Sequence, residues 1–139
     1  MNKSKGFTII ELIVVIAIIA VLAAIVLVNV TQYINKGKDA SIKGNLSSMM
    51  TIAASYYDDN TSNYIGLDNA AKGGSSATFV AGVTAVNDAN GTANDVSKNI
   101  TSSKYCVQSA LLTGGNWCVD STGYKGTSSG CDGTNYDCQ

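Results

Sequence analysis

The chain of 139 residues contains neither histidine nor proline. Histidine is the commonest general base near neutral pH and a frequent metal ligand, so its absence disfavours a catalytic or metal-dependent role, and we predict a protein that is not an enzyme. The absence of proline leaves no residue that must interrupt a long helix by lacking an amide donor. Basic residues are few and scattered, and the net charge is -1. The chain therefore has no excess of positive charge that would attract nucleic acid.

The longest feature is an apolar run at residues 7–30, which holds no proline, glycine, lysine or arginine and whose one formal charge is Glu11. A run of this length suffices to cross a bilayer as a helix. A carboxylate among hydrocarbon costs about 2.5–3.5 kcal/mol. We therefore expect Glu11 to have a function and a cationic partner.

A short leader with two lysines, residues 1–6, precedes the run. The sequence GFTIIE, from Gly6 to Glu11, resembles the processing site of class III signal peptides in type IV pilins and type II secretion pseudopilins. The resemblance implies that a prepilin peptidase cleaves between Gly6 and Phe7 and methylates the new terminus, Phe7. It also implies that Glu11 neutralises the terminal amine of a neighbouring subunit during filament assembly.

Two simpler interpretations remain for the N-terminal segment. An ordinary secretory signal peptide cleaved after Ala23 also has a basic start and an apolar core, but that core is shorter and lacks a glutamate. A plain single-span anchor explains the length of the run and leaves Glu11 and the Gly6–Phe7 junction without a role.

Beyond the run, apolar residues recur at steps of one, three and four, as on one face of a helix. They are Ile42, Leu46, Met49, Met50, Ala53, Tyr56 and Tyr57. We predict a nearly unbroken helix from Phe7 to Tyr57, roughly 75 Å long, with a transmembrane or filament-core half at 7–30 and an amphipathic half at 31–57. Gly37 and Gly44 are either tolerated surface glycines or a flexible neck.

The remaining residues, 58–139, are predicted to form a globular head with a loop at 58–103, a β-hairpin at 104–122 and a tail at 123–139. The hairpin is indicated by two β-prone runs around Gly114-Gly115. Alternation favours Tyr105, Val107, Ser109 and Leu111 as the residues that face the helix. The predicted fold class is α+β, a pilin-like lollipop in which the second half of the helix packs on a small antiparallel sheet.

The four cysteines, Cys106, Cys118, Cys131 and Cys138, lack the spacing of a zinc site, and in an exported head they predict two disulfides. A two-residue turn places Cys106 and Cys118 on opposite strand faces, about 15 Å apart, beyond the reach of a bridge. This favours bonds from each hairpin cysteine to a tail cysteine. Pairing of adjacent cysteines stays open if the loop is wider.

Some pseudopilins bind calcium near this end of the chain, which makes Asp120, Asp132 and Asp137 weak candidates. No D-x-D-x-D-G loop is present, and acidic turn residues are common without a metal. We predict no metal and no cofactor.

The resemblance implies a structural subunit of a type IV pilus. Its partners are then other copies of itself, the prepilin peptidase, the assembly machinery and, before assembly, the inner membrane, with the assembled product extracellular or periplasmic. The alternatives are a pseudopilin or minor tip subunit of a secretion or DNA-uptake system, and a monomeric binding module anchored in the membrane.

Overall fold

A computed structural model describes residues 6–91, 96–131, 133–134 and 136–138, without the side chain of Val28. Leader residues 1–5 and the calcium candidate Asp132 lie outside the described residues. The chain divides into two compact units, and the boundary falls between Ile34 and Asn35.

Helix α1 spans Ile9–Asp59 and confirms the predicted long helix. Its portion in the first unit is exposed on all sides, and one 18-residue window has a mean hydropathy of 3.3 with none of its surface buried. The helix is therefore long and apolar enough to cross a membrane.

The second unit is organised around the remainder of α1. The buried positions are Asp39, Ile42, Leu46, Met49, Ala53 and Tyr56, with Met50 and Tyr57 half-buried beside them. Their steps of three and four residues place them on one stripe, which confirms the predicted apolar face. Asp39, the first member of the stripe, was not predicted.

The loop predicted at 58–103 was wrong in its central and last parts. The segment contains a 3₁₀ turn at Ala70–Lys72, helix α2 at Gly74–Asn90 and strand β1 at Val96–Ile100. The abundance of glycine, serine and asparagine hid a helical stripe of Phe79, Val83 and Val86, which packs in the same core as Met49. Glycine is needed at position 82, where an added Cβ would lie 2.9 Å from Cγ of Met49.

Strands β2 at Tyr105–Ala110, β3 at Asn116–Asp120 and β4 at Lys125–Ser128 complete the sheet. Among the described residues the sheet is four-stranded and antiparallel in the order β1-β2-β3-β4. Strand β4 lies in the segment predicted as tail, so that boundary was wrong: its residues are polar, but they complete the hydrogen bonds of β3.

The predicted β2–β3 hairpin is present, but its two-residue turn was wrong. Ala110 pairs with Asn116, so the connection comprises residues 111–115. As predicted, Tyr105, Val107 and Ser109 are buried on the helix-facing side of β2.

The disulfides join Cys106 to Cys131 and Cys118 to Cys138, each with Cα atoms 5.7 Å apart. This confirms the prediction that each tail cysteine meets a hairpin cysteine, although the reason given for it was wrong. Cys106 pairs across the ladder with Asp120, two residues from Cys118. Both cysteines therefore lie on the same face of the sheet, opposite the helix, where the tail covers them.

Candidate functional site at the start of the apolar helix

The residues of the predicted processing site form a capping arrangement at the start of α1. The backbone N–H and the hydroxyl of Thr8 both donate to Oε2 of Glu11, at 2.8 Å each. In return, the N–H of Glu11 donates to Oγ1 of Thr8 at 3.2 Å. This reciprocal pair is a capping box, in which the first and fourth residues satisfy each other's free backbone donors.

The capping box gives Glu11 a local polar partner but no cation. Its bonds to Thr8 use Oε2, and among the described residues Oε1 accepts no hydrogen bond. Thr8 and Glu11 are both exposed. The carboxylate is therefore held in a fixed orientation with one oxygen available to a cation from outside the subunit.

The scissile bond predicted between Gly6 and Phe7 lies just before the helix, in residues with no regular secondary structure. Phe7 is 74% exposed. An added Cβ on Gly6 would meet nothing within 4 Å. The fold therefore does not require glycine at this position, and a requirement for a small residue has to come from an enzyme that binds the segment.

The apolar side chains that follow the capping box are exposed around the whole circumference of the helix. Between residues 12 and 30, the exposed fractions of the described large apolar side chains range from 45% at Val15 to 69% at Leu27. A helix that is apolar on all sides is stable only when lipid or other protein covers it. One carboxylate at the start of such a surface is a polar group that any covering partner must accommodate.

Residues 1–27 match a family model described as the prokaryotic N-terminal methylation motif. This is the class III signal peptide of type IV pilins and pseudopilins. Residues 1–27 are therefore similar to the start of a pilin or pseudopilin precursor, and the apolar helix and signal motif fit a membrane-anchored form. Searches of curated proteins and of solved structures gave no significant match.

Among the calcium candidates, Asp120 is buried, unlike the exposed Glu11. Oδ1 of Asp120 accepts from the N–H and hydroxyl of Thr122 at 2.8 and 2.6 Å and from the N–H of Tyr124 at 3.3 Å. Its Oδ2 accepts from the N–H of Cys138 at 3.0 Å. These donors tie the β3–β4 turn and the tail to Asp120, whose carboxylate is thus hydrogen-bonded within the protein.

Within the described residues, no group of three acidic, cysteine or histidine side chains forms a metal-binding cluster. Asp137 is half-buried, and Asp132 lies outside those residues. The prediction of no metal, and the weak calcium alternative at these aspartates, therefore both stay untested.

Thr8 and Asp39 both form hydrogen bonds at helix α1, but neither was singled out from the sequence. Thr8 was signalled by the T-x-x-E spacing before an apolar run, which is typical of a capping box. Asp39 lies three residues before Ile42, in phase with the buried stripe, but a carboxylate at such a position does not reveal its partner.

Proposed function

We propose that the chain is cleaved between Gly6 and Phe7 and then polymerises, through its N-terminal helix, as a non-catalytic structural subunit of a type IV pilus filament. The observation that carries this proposal is the exposed apolar helix with a single oriented carboxylate at its start. The methylation motif at residues 1–27 supplies the processing step.

Among the described residues Glu11 has no cationic partner, and cleavage would create one. The new α-amino group on Phe7 is an ammonium near neutral pH, and bundling of apolar helices places it in a medium of low dielectric constant, where attraction between opposite charges is strong. An amine from an adjacent copy can approach the unoccupied Oε1 while Oε2 keeps its bonds to Thr8. The cost of burying Glu11 is thereby offset only in the assembled state.

The partners of this subunit are then other copies of the same chain, a prepilin peptidase and the pilus assembly machinery. Before assembly, the exposed helix is covered by the inner membrane. After assembly, the same surface is covered by neighbouring helices in an extracellular filament.

The proposal is tested by Glu11→Ala in the full-length chain in a pilus-assembling host. The variant should insert into the membrane and fold its head, but filaments recovered by shearing should fall below detection. Asp58→Asn, an exposed carboxylate near the other end of α1, is the matched control and should assemble normally. Assembly of Glu11→Ala at the normal level would show that Glu11 makes no such pair.

Thr8→Val separates orientation of the carboxylate from its charge. The variant keeps the carboxylate but loses the hydroxyl contacts, so filament yield should fall less than in Glu11→Ala, and Thr8→Ser should restore it. Equal yields for Thr8→Val and the unchanged chain would remove the capping box from the assembly mechanism.

Residues 27–30 contain no proline, and the helix is continuous there. This is as compatible with a pseudopilin as with a pilus subunit. A pseudopilin would accumulate in the periplasm and support protein secretion, whereas a pilus subunit would be the main component of surface filaments. Mass spectrometry of sheared filaments distinguishes these two roles.

A further inference from the structure

A carboxylate, Asp39, is the first buried residue along the described part of helix α1. Asp39 is 4% exposed. It accepts hydrogen bonds from the N–H of Leu112 at 2.7 Å, from the N–H of Thr113 at 3.1 Å and from the hydroxyl of Thr113. The donors are 73 and 74 residues away in the chain, so the contact joins the helix to the β2–β3 connection.

The β2–β3 connection explains why this position carries a charge. The last ladder pair of the hairpin is Ala110 with Asn116, so the N–H groups of Leu112 and Thr113 lie outside the ladder and need another acceptor. Burial by itself raises the pKa of Asp39, but the bonds from Thr113 and Leu112 and the charge of Lys43 together hold the pKa below its ordinary value. The residue is therefore an anion at neutral pH.

A second contact lies one turn further along the helix. Nζ of Lys43 is 4.8 Å from the centre of the Trp117 ring, a distance at which a cation is attracted to the ring face. Asp39 and Lys43 thus hold the β2–β3 connection and strand β3 at successive turns of α1.

The residues of α1 just before Asp39 lack this support. Within the second unit, Lys36, Gly37 and Lys38 are exposed and Asn35 is half-buried. An added Cβ at Gly37 would meet nothing within 4 Å, and glycine lowers helix stability by about 1 kcal/mol relative to alanine. Gly44 is also exposed, and an added Cβ there would also meet nothing within 4 Å, but its neighbours Ile42 and Leu46 are buried.

We propose that Asp39, Leu112 and Thr113 form a latch that sets the first point at which the head protects α1, so that opening of the helix at Gly37 stops there. Its purpose rests on the proposed function, since a filament subunit must keep its head folded while its exposed helix exchanges lipid for other copies. With the latch closed, the helix can open at Gly37 but stays closed at Gly44.

Hydrogen–deuterium exchange on the full-length protein in detergent micelles tests the latch. In the unchanged protein, amides at 35–38 should exchange fast, and protection should rise within one helical turn of Asp39. In Asp39→Asn, exchange at 39–42 and at 111–115 should accelerate about tenfold, as expected when a local opening becomes easier by the loss of tertiary contacts. Asp58→Asn is the charge-matched control and should change neither segment.

Thr113→Val tests the latch without altering the helix. It removes one donor and keeps both backbone N–H groups, so the acceleration should be smaller than in Asp39→Asn, and Thr113→Ser should show none. Gly37→Ala should slow exchange at 35–38, while Gly44→Ala should leave those amides unchanged.

Unchanged exchange at 39–42 in both Asp39→Asn and Thr113→Val would overturn the latch, as would protection in the unchanged protein that first rises beyond residue 43. The measurement requires no assembly. Its failure would therefore leave the proposed filament function standing, and a failure to form filaments would leave the latch standing.

Discussion

The two carboxylates at Glu11 and Asp39 lie in the same 51-residue helix and are held in opposite ways. The partner of Glu11 is Thr8, three residues away and exposed. The partners of Asp39 come from the other end of the chain and bury it. A carboxylate with only local, exposed donors can acquire a new partner without unfolding anything, whereas the latch cannot open without releasing the hairpin.

The two units also differ in how much of their apolar surface is exposed. In the first unit, the helix exposes apolar side chains on all sides. In the second, the same helix buries one stripe against α2 and the sheet. The head has thus already covered its apolar surface, while the first unit depends on lipid or on further copies. The following predictions test this division of roles, beginning with the largest expected effect.

Removal of residues 1–30 should abolish filament assembly completely and leave the head folded. No buried core residue lies in that segment among the residues described. The melting temperature by circular dichroism should stay within about 4 °C of the full-length value, the shift that 1 kcal/mol produces in a domain of this size. Loss of cooperative melting would show that the head depends on the apolar helix.

Loss of one disulfide should be the largest single perturbation of the head. Cys118→Ala with Cys138→Ala should lower the free energy of unfolding by about 2–4 kcal/mol, measured by urea denaturation. The pair Cys106→Ala with Cys131→Ala should have a similar effect, because the two bonds span 20 and 25 residues. A loss well below this range would indicate that the tail is held by its hydrogen bonds alone.

Asp120→Asn should destabilise the head by about 1–3 kcal/mol, because the amide cannot accept from all the donors that now surround the carboxylate. Asp88→Asn, at an exposed position on α2, should change the free energy of unfolding little. If Asp120 instead binds calcium, adding calcium should raise the melting temperature of the unchanged protein and adding a chelator should lower it.

The smallest effect concerns alkaline pH. Burial, and after it the neighbouring Tyr64 and Asp120, raise the pKa of Tyr105. Its contribution to stability is therefore complete below the unfolded-state pKa of about 10 and declines above it. The decline has a slope of at most about 1.4 kcal/mol per pH unit for a single group. Urea titrations between pH 9 and 11, values chosen to bracket about pH 10, should show a shallower decline in Tyr105→Phe. The exposed Tyr33→Phe should not differ from the unchanged protein.

The sequence predicted those features whose signals are local. The helical stripe from Ile42 to Tyr57 was predictable because its apolar residues recur at helical spacing. The N-terminal motif was predictable because its residues are adjacent in the sequence. The predicted side of β2 was also right, because alternation of burial holds along a strand whatever its register.

The features that were mispredicted depend on distant partners. Helix α2 is rich in small and polar residues, and its buried Phe79 and Val86 pack in the core that also contains Met49. The β2–β3 connection is wider than predicted, and two of its amides donate to Asp39; no local pattern in residues 104–122 reveals that acceptor. The prediction that each hairpin cysteine bonds to a tail cysteine was correct although it came from an incorrect register, and which of the two tail cysteines bonds to which was not predicted.

Cleavage after Gly6 produces the amine on which the proposed assembly depends, and N-terminal mass spectrometry of the assembled protein detects it. We expect a chain that begins at Phe7 with a methylated α-amino group, and uncleaved, unassembled protein in the membrane for Gly6→Val. A mature terminus at Met1, or one after Ala23, would show that this amine is not formed.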